Sequence, residues 1–365
     1  MLLTPRQRFL SYVRDPQYTR RTVSPFLPNP EVVRQTLVHL GVPVTDDAVQ
    51  NEIHLSRALD YEPMFMTDLP GLIFPWQVDP NRSDDAFQVS VIPTPEGEWV
   101  RRFPRKEISW NEDARCPVQT EADHEKLVRV CEQVEDRADA IQAYFQNWRE
   151  RVGEDGVIVL GHPHPSWLGY QISPQTIFYH WSDFQEAFKR SMDAVYRASL
   201  FVMGVALDAG IDFMSDSSYG LEMTSPALFE EMDLPYIQGF SHWTHERNGL
   251  FWYHNCGFTQ KLIADGRFND LGADVIETIA PPPEGDNDLA ASRRHLDPAI
   301  CTKGNLSLIL LRDGAPDEIA AATQKLVDAV RGTAHIVSTA DAVLPGTPPE
   351  NFITFVKTAR EANPS

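Results

Sequence analysis

The stretch that decides the fold is Leu250-Phe251-Trp252-Tyr253-His254-Asn255-Cys256-Gly257. It begins with apolar and aromatic residues and ends with polar ones, the pattern of a buried strand that stops at a polar edge. Side chains two apart on a strand point the same way, so His254 and Cys256 are expected to converge. An imidazole and a thiolate at one point are half of a zinc site, and a third ligand must come from elsewhere.

The same pattern of a short strand followed by a helix recurs on both sides of this stretch. The predicted strands are 157–160, 212–214, 250–253, 273–278, 299–302 and 335–338. The predicted helices that follow them are 184–206, 225–247, 259–264, 287–295, 316–330 and 349–359. Strands that alternate with helices require a parallel sheet, and with 63–66 as a further strand the count approaches a closed eight-stranded barrel.

Residues 1–150 are less regular. Amphipathic patterns predict helices at 4–13, 31–40 and 46–59, alternating segments at 87–91 and 99–103 predict a small antiparallel sheet, and a helix is expected over 120–151. We therefore expect an α/β protein with a single (β/α)₈ TIM barrel as one domain over 1–365. Residues 1–150 supply an irregular helical and β extension with the first barrel elements, and residues 151–365 supply the regular units.

Composition excludes several partners. The 365 residues carry 52 acidic against 32 basic side chains, a net charge of −20, which argues against nucleic acid and anionic membranes. No apolar run reaches the roughly 18 residues that span a bilayer, and the N-terminal stretch lacks the apolar core of a signal peptide. Four cysteines are too few for a disulfide framework. We expect a cytoplasmic protein with reduced thiols.

Polar side chains follow the predicted strands, and the active sites of such barrels lie at these carboxyl ends. The polar residues at the strand ends are His162, His164, Asp216, Tyr219, His254, Cys256, Glu277, Lys303, Asn305 and Asp341. Glu277 is a candidate proton acceptor or fourth metal ligand, and Asp216 a second catalytic candidate. We assign substrate contacts to His162, His164, Tyr219, Lys303 and Asn305, with capping and turn formation as the alternative.

Several motifs carry a resemblance to a known family. They are His254-x-Cys256-Gly257, Gly272-Ala273-Asp274, Lys303-Gly304-Asn305-Leu306, the closing Pro345-Gly346-Thr347-Pro348-Pro349-Glu350-Asn351 and the opening Thr4-Pro5-Arg6-Gln7-Arg8-Phe9-Leu10. With them the chain resembles the uroporphyrinogen decarboxylase superfamily, least between about 65 and 150. The resemblance implies a single (β/α)₈ barrel, in agreement with the strand count.

The His-x-Cys-Gly motif looks like that of the superfamily's zinc-dependent methyltransferases, such as the methylcobamide:coenzyme M enzymes. True decarboxylases lack this pair and carry an Arg-Gln-Ala-Gly-Arg segment that is absent here. The methyltransferases have a second cysteine before the Thr-Pro-x-Glu-Asn motif, and Asp341 stands at or within one residue of that place. The resemblance thus implies one Zn²⁺ per chain held by His254, Cys256 and Asp341, with Glu277 or the His162/His164 pair as substitutes for Asp341.

The resulting expectation is a zinc-dependent methyltransferase or demethylase component. It would transfer a methyl group between a small-molecule donor or acceptor and a corrinoid (cobalamin) on a partner protein, and the resemblance also implies a homodimer. One alternative is a metal-free decarboxylase of a tetrapyrrole or other carboxylic acid, in which Asp216 stabilises a protonated pyrrole. A second alternative is a non-catalytic barrel that binds a corrinoid or tetrapyrrole.

Overall fold

The computed structural model describes residues 3–15, 21–95, 97–105 and 116–362. Its strands are β1 (Met64–Met66), β2 (Gln77–Val78), β3 (Phe87–Thr94), β4 (Gly97–Pro104), β5 (Val157–Val159), β6 (Phe213–Ser218), β7 (Leu250–Asn255), β8 (Val275–Glu277), β9 (Cys301–Leu306) and β10 (His335–Thr339).

The helices of the N-terminal half are α1 (Pro5–Arg14), α2 (Pro30–His39), α3 (Ala48–Leu59), α4 (Pro70–Ile73), α5 (Glu121–Glu132) and α6 (Ala138–Val152). Those of the C-terminal half are α7 (Ile177–Asp183), α8 (Gln185–Asp208), α9 (Pro226–Leu228), α10 (Leu234–His245), α11 (Gln260–Ala264), α12 (Leu289–His295), α13 (Leu308–Asp313), α14 (Pro316–Ala329) and α15 (Pro349–Glu361). None of the helices in the described ranges is long and apolar enough to cross a bilayer.

Seven parallel strands form a curled sheet in the order β1-β5-β6-β7-β8-β9-β10. The eighth position is taken by a short segment around Val23. Val23 makes an isolated parallel bridge to Val337 of β10, and the backbone N–H of Glu62, just before β1, donates to the Val23 carbonyl at 3.0 Å. The segment thus links the last strand to the first, and the predicted TIM-barrel-like α/β fold is confirmed.

Helix α1 covers the amino-terminal end of the strands. It begins with a capping box, in which Thr4 Oγ1 accepts from the Gln7 backbone and Gln7 Oε1 accepts from the Thr4 backbone. The buried Phe9 ring lies against the inward-facing rings of Phe213 (5.9 Å) and Trp252 (6.4 Å). Because α1 fills this end with apolar side chains, a ligand must enter from the carboxyl ends of the strands.

The predicted strands and the hairpin of the N-terminal half are confirmed, since β3 pairs antiparallel with both β2 and β4. The continuous helix predicted over 120–151 is wrong: α5 and α6 are separated by a 3₁₀ turn at Glu135–Arg137. The turn lets Arg137 donate to the carbonyls of Leu72 (2.5 Å) and Ile73 (2.8 Å) at the end of α4. This tertiary contact has no signature in the helical periodicity.

The segment around Val23, which fills the eighth position of the barrel, is held by Glu62, whose side chain is 2% exposed. Its carboxylate accepts from Arg8 of α1 (2.8 Å), from Arg360 of α15 (2.5 Å) and from the Val23 backbone N–H (3.2 Å). One carboxylate therefore joins the first helix, the last helix and the eighth position of the barrel.

We expect Glu62→Gln to lower the free energy of unfolding by about 3 kcal/mol, because two partly buried guanidinium groups lose their counter-charge. Urea unfolding measures the effect, with Glu361→Gln on the exposed face of α15 as a control that stays within about 0.5 kcal/mol of the parent. Equal stabilities for the two variants would contradict a closing role for Glu62.

Candidate active site

The register of three neighbouring strands places polar residues in one layer of the barrel. His254 of β7 is paired with Glu277 of β8, and Glu277 with Lys303 of β9. Two residues earlier on β7, Trp252 belongs to the apolar interior. Since side chains two apart on a strand share a face, the polar layer lies directly above this interior, toward the carboxyl ends of the strands.

Glu277 is the centre of this layer. Its Oε1 contacts Lys303 Nζ at 2.5 Å, and its Oε2 accepts from Trp252 Nε1 at 3.1 Å and from His254 Nδ1 at 3.1 Å. The side chains of Lys303 and Glu277 are 0% and 1% exposed. Burial raises the pKa of Glu277, but Lys303 and His254 together bring it well below the usual value. Glu277 is therefore an ionised carboxylate that every polar neighbour helps to keep ionised.

His254 is oriented by Glu277 at one ring nitrogen and faces Asp341 and Cys256 with the rest of the ring. Its Nε2 lies 4.0 Å from Asp341 Oδ2, and the Cys256 side chain is near enough to the ring to raise its pKa. Burial lowers the pKa of His254, whereas Cys256, Glu277 and Asp341 raise it, with the net result well above the usual value. The anionic neighbours of His254 therefore favour a positive charge at the ring, either a bound proton or a bound metal cation.

Gly257 of the motif has a structural explanation. Its φ is +72°, and a Cβ there would lie 1.7 Å from Glu222 Oε1. Glu222 in turn accepts from the Phe258 backbone N–H at 2.7 Å through Oε2. The positive φ favours glycine in this turn, which follows directly after Cys256.

The residue types around His254 suit zinc, since they offer nitrogen, sulfur and oxygen donors with a carboxylate behind the imidazole. In the part of the chain that the structure describes, no three His, Cys, Asp or Glu side chains already have the spacing of a metal site. The 4.0 Å between His254 Nε2 and Asp341 Oδ2 exceeds the about 3.4 Å of two ligands on one tetrahedral zinc. The Asp341 side chain is 41% exposed, so a torsional change there alters this distance without moving a strand.

His162 and His164 line the mouth beside His254. The His162 ring stacks on His254 at 5.0 Å, and its Nδ1 lies 2.9 Å from Ser215 Oγ. His164 lies 4.9 Å from the ring of Tyr170 and 5.5 Å from that of Tyr219. Burial lowers the pKa of His162 well below its usual value and that of His164 to about 3. These two rings are neutral, unlike His254, and with Tyr219 they are the predicted substrate residues that the fold brings to the mouth.

Asp216 is not brought to the mouth. It alternates with Ser215 and Ser217, which point inward to the two histidines, so its side chain lies on the opposite face of β6. There its Oδ1 accepts from the His164 backbone N–H at 3.1 Å, and burial raises its pKa well above the usual value. Asp216 positions the loop that carries His164.

The two predicted residues on β9 are engaged within the fold. Asn305 donates from Nδ2 to the Ile279 carbonyl at 2.8 Å and so holds the loop that follows β8. The Lys303 ammonium is bonded to Glu277 in the interior, with the rings of Trp252 and Phe26 5.7 Å and 5.8 Å away. Both side chains are therefore bonded to other residues of the protein at the positions where substrate contacts were predicted.

Two cavities flank the mouth and share Asp68, Pro70 and Tyr170 in their walls. The first, of about 590 Å³, is lined by His162 and reaches Glu52 of α3. The second, of about 640 Å³, is lined by Tyr219 and other aromatic side chains and contains Arg101 of β4.

Sequence reasoning missed Glu52 and Arg101, two ionisable residues of the cavity walls. Burial raises the pKa of Glu52 well above its usual value, which favours its neutral form. The available signal was its position on the apolar face of a predicted helix, between Val49 and Ile53. For Arg101 the signal was its alternation with Trp99 and Phe103 along a predicted strand.

Comparisons with known proteins agree with this architecture. The family model described as uroporphyrinogen decarboxylase (URO-D) matches residues 176–362. A uroporphyrinogen decarboxylase of Gluconacetobacter diazotrophicus is 36% identical over 74 residues, 20% of this chain and 21% of that protein, so the chain matches about a fifth of this curated relative's length. The solved structure of a methyltransferase from Methanosarcina mazei aligns over 99% of both chains with a TM-score of 0.64 and 17% identity, which shows a shared fold.

The first prediction from the site concerns the Lys303–Glu277 pair. Lys303→Met leaves the Glu277 carboxylate buried without its ammonium partner, and we expect the free energy of unfolding to fall by about 3–5 kcal/mol. Lys303→Met combined with Glu277→Gln should recover part of this loss, because no uncompensated carboxylate remains. Urea unfolding of a double-mutant cycle measures the coupling, with Lys325→Met on exposed α14 as the control. Simple additivity of the two single effects would contradict the pairing.

A second prediction concerns Asp233, which is buried behind Tyr219 and accepts from Ser166 Oγ at 2.5 Å. Burial raises its pKa to about 7, although the Ser166 hydrogen bond opposes the change. From about pH 4, the unfolded pKa, to about pH 7 the folded protein retains a proton that the unfolded chain releases. The free energy of unfolding therefore falls as pH rises through this window, and above about pH 7 it falls no further because of this group.

Asp233→Asn keeps an acceptor for Ser166 and removes this titration. We expect it to raise the free energy of unfolding at pH 8 by on the order of 2 kcal/mol and to change it little at pH 4. Urea unfolding from pH 4 to pH 8 provides the comparison, with Asp85→Asn at an exposed loop position as the control. A pH-independent difference between parent and variant would refute the assignment.

Proposed function

The chain belongs to the uroporphyrinogen decarboxylase (URO-D) family, and within it we propose a zinc-dependent methyltransferase that transfers a methyl group between a small substrate and a corrinoid. The observation that carries this proposal is the convergence of His254 and Cys256 beside Asp341, with the Glu277 carboxylate behind the imidazole. The corrinoid is supported by the resemblance of the His-x-Cys-Gly motif to the zinc- and corrinoid-dependent branch. The fold shared with the Methanosarcina mazei methyltransferase is consistent with the zinc site and with the corrinoid.

In this proposal His254, Cys256 and Asp341 hold the zinc ion. When bound there, zinc supplies a Lewis acid that lowers the pKa of the substrate heteroatom or polarises its bond to the methyl group. Glu277 accepts the Nδ1–H hydrogen bond and thereby leaves Nε2 of His254 as the donor atom. Lys303 balances the Glu277 charge, so the carboxylate stays ionised in an interior that would otherwise favour its protonated form.

The surroundings of His254 suit a methyl transfer. The neighbouring rings of His162 and His164 are neutral and buried, so they border the mouth without adding charge. Helix α1 fills the opposite end of the barrel. A corrinoid, whether free or on a partner protein, therefore has to approach across the carboxyl ends of the strands, where the two cavities lie.

A metal-free decarboxylase is the second candidate, favoured by the name of the matching family and of the curated relative. Its expected charge-stabilising residue, Asp216, lies on the outer face of β6 and is occupied by the His164 backbone. The geometry therefore supports the zinc chemistry better.

Metal content gives the first test. We expect about one zinc per chain by elemental mass spectrometry, lost in Cys256→Ser and at least tenfold more weakly bound in Asp341→Asn, because each variant removes one of three ligands. Cys116→Ser, at another half-buried cysteine, and Asp85→Asn are the matched controls and should retain zinc. Zinc that is lost in Cys256→Ser but retained in Asp341→Asn would indicate that the third ligand is Glu277 or one of the His162/His164 pair instead of Asp341.

Turnover gives the second test. Zinc-loaded protein is mixed with free cob(I)alamin and a panel of methoxylated, N-methylated and S-methylated small molecules, and the cobalamin spectrum reports methyl transfer. Turnover that disappears with Cys256→Ser would support the proposal. A parent protein that takes up no zinc on reconstitution would overturn it in favour of the decarboxylase, and zinc binding without turnover of any compound would favour a non-catalytic corrinoid-binding barrel.

A further inference from the structure

The second cavity contains a cation, Arg101, for which the described residues provide no carboxylate partner. The cavity lies between the β3–β4 hairpin and the loop after β5, and its walls are largely aromatic. Its aromatic residues are Phe74, Trp76, Phe103, Trp167, Tyr170 and Tyr219. Arg101 enters these walls from β4, on the same face of the strand as Trp99 and Phe103.

The Arg101 guanidinium lies over aromatic rings. Its Cζ is 4.6 Å from the centroid of Trp76 and 5.6 Å from that of Phe103. Trp76 is itself fixed, since its Nε1 donates to Gln171 Oε1 at 3.0 Å. The rings hold the planar group in one orientation and leave its N–H edges for hydrogen bonding.

Within the described ranges the guanidinium has no anionic partner. Its Nε is buried without a hydrogen bond. Among the described residues of the cavity wall the one carboxylate is Asp68, which accepts from the Gly71 backbone N–H at 2.9 Å. Burial lowers the pKa of Arg101 to about 10, with only Cys116 acting in the opposite direction. A partly desolvated cation is costly when unpaired, and an anion that enters with a ligand would remove this cost.

We propose that this cavity binds a planar aromatic carboxylate, with Arg101 as the residue that recognises its carboxyl group. The guanidinium fork matches a carboxylate with two parallel hydrogen bonds. The surrounding rings offer the flat apolar surface that an aromatic ring prefers, and they have little to offer an aliphatic polyacid.

A series of packed rings lies between this cavity and the metal-ligand candidates. Tyr170 lines both cavities and contacts His164, which lies 6.1 Å from His162, and His162 stacks on His254 at 5.0 Å. Tyr170 is therefore the part of the cavity wall that borders the rings beside the proposed zinc site, and the proposal places the far end of a ligand anchored at Arg101 against this wall. This inference rests on the proposed function for one part only, namely that the far end of the aromatic acid carries the heteroatom-bound methyl group.

The test is direct binding by isothermal titration calorimetry to the full-length protein, with and without zinc. The probes are 4-methoxybenzoate and its neutral analogue 4-methoxybenzamide. We expect the acid to bind the parent at least tenfold more tightly than the amide, and Arg101→Gln to weaken the acid at least tenfold while leaving the amide unchanged. Arg101→Lys keeps the charge but loses the planar guanidinium group, so its affinity for the acid should lie between those of the parent and of Arg101→Gln.

Arg102→Gln is the matched control, because Arg102 is the next residue on the same strand and points to the opposite, exposed face. It should bind the acid like the parent. Equal affinities for acid and amide in the parent, or equal losses in Arg101→Gln and Arg102→Gln, would overturn the inference. Arg101-dependent binding to zinc-free protein supports it even where methyl transfer fails, and turnover of the acid that is unaffected by Arg101→Gln would overturn it while leaving the proposed function intact.

Discussion

The buried ion pair of Lys303 and Glu277 is the interaction on which the site depends. A carboxylate and an ammonium that are both almost completely buried are stable only if each satisfies the other, since either alone would carry a large desolvation penalty. Their contact at 2.5 Å requires β8 and β9 to keep one register, and the hydrogen bond from His254 extends this requirement to β7. The position of the His254 ring is therefore fixed by the electrostatics of the barrel interior.

The same layer separates the protonation states of chemically similar groups. His162 and His254 stack on each other, yet the pKa of the first is lowered by burial and that of the second is raised by its anionic neighbours. Among the carboxyl groups, Lys303 lowers the pKa of Glu277, whereas burial raises the pKa of Asp216 well above its usual value. A group of titratable residues whose pKa values are driven apart in this way is typical of functional sites. Of the two basic side chains in this layer, Lys303 is completely buried and His254 is the one that reaches the mouth.

The sequence predicted what depends on local periodicity. The strands from β5 to β10 and the adjacency of His254 and Cys256 follow from alternation and from apolar runs between polar ends. The same alternation places Asp216 on the opposite face of β6 from Ser215 and Ser217, so a catalytic role for it at the mouth was not consistent with the strand pattern. The eighth barrel position, by contrast, is a three-residue segment around Val23 that only tertiary hydrogen bonds to Val337 and Glu62 define. No window of sequence predicts such a contact.

The division between barrel and extension separates two kinds of function. The region matched by the family model, 176–362, contains His254, Cys256, Glu277 and Lys303, the residues of the proposed chemistry. Arg101 and its aromatic neighbours Trp76 and Phe103 lie outside that region. Arg101 and Phe103 belong to the β3–β4 hairpin and Trp76 lies just before β2, all in the small sheet region added to the barrel rim. A rigid sheet can hold reactive groups in register while an added segment changes the walls above them, because the hairpin is not part of the barrel's hydrogen-bond network. Substrate choice in this chain is therefore expected to reside in the extension, and the reaction type in the strand ends of the barrel.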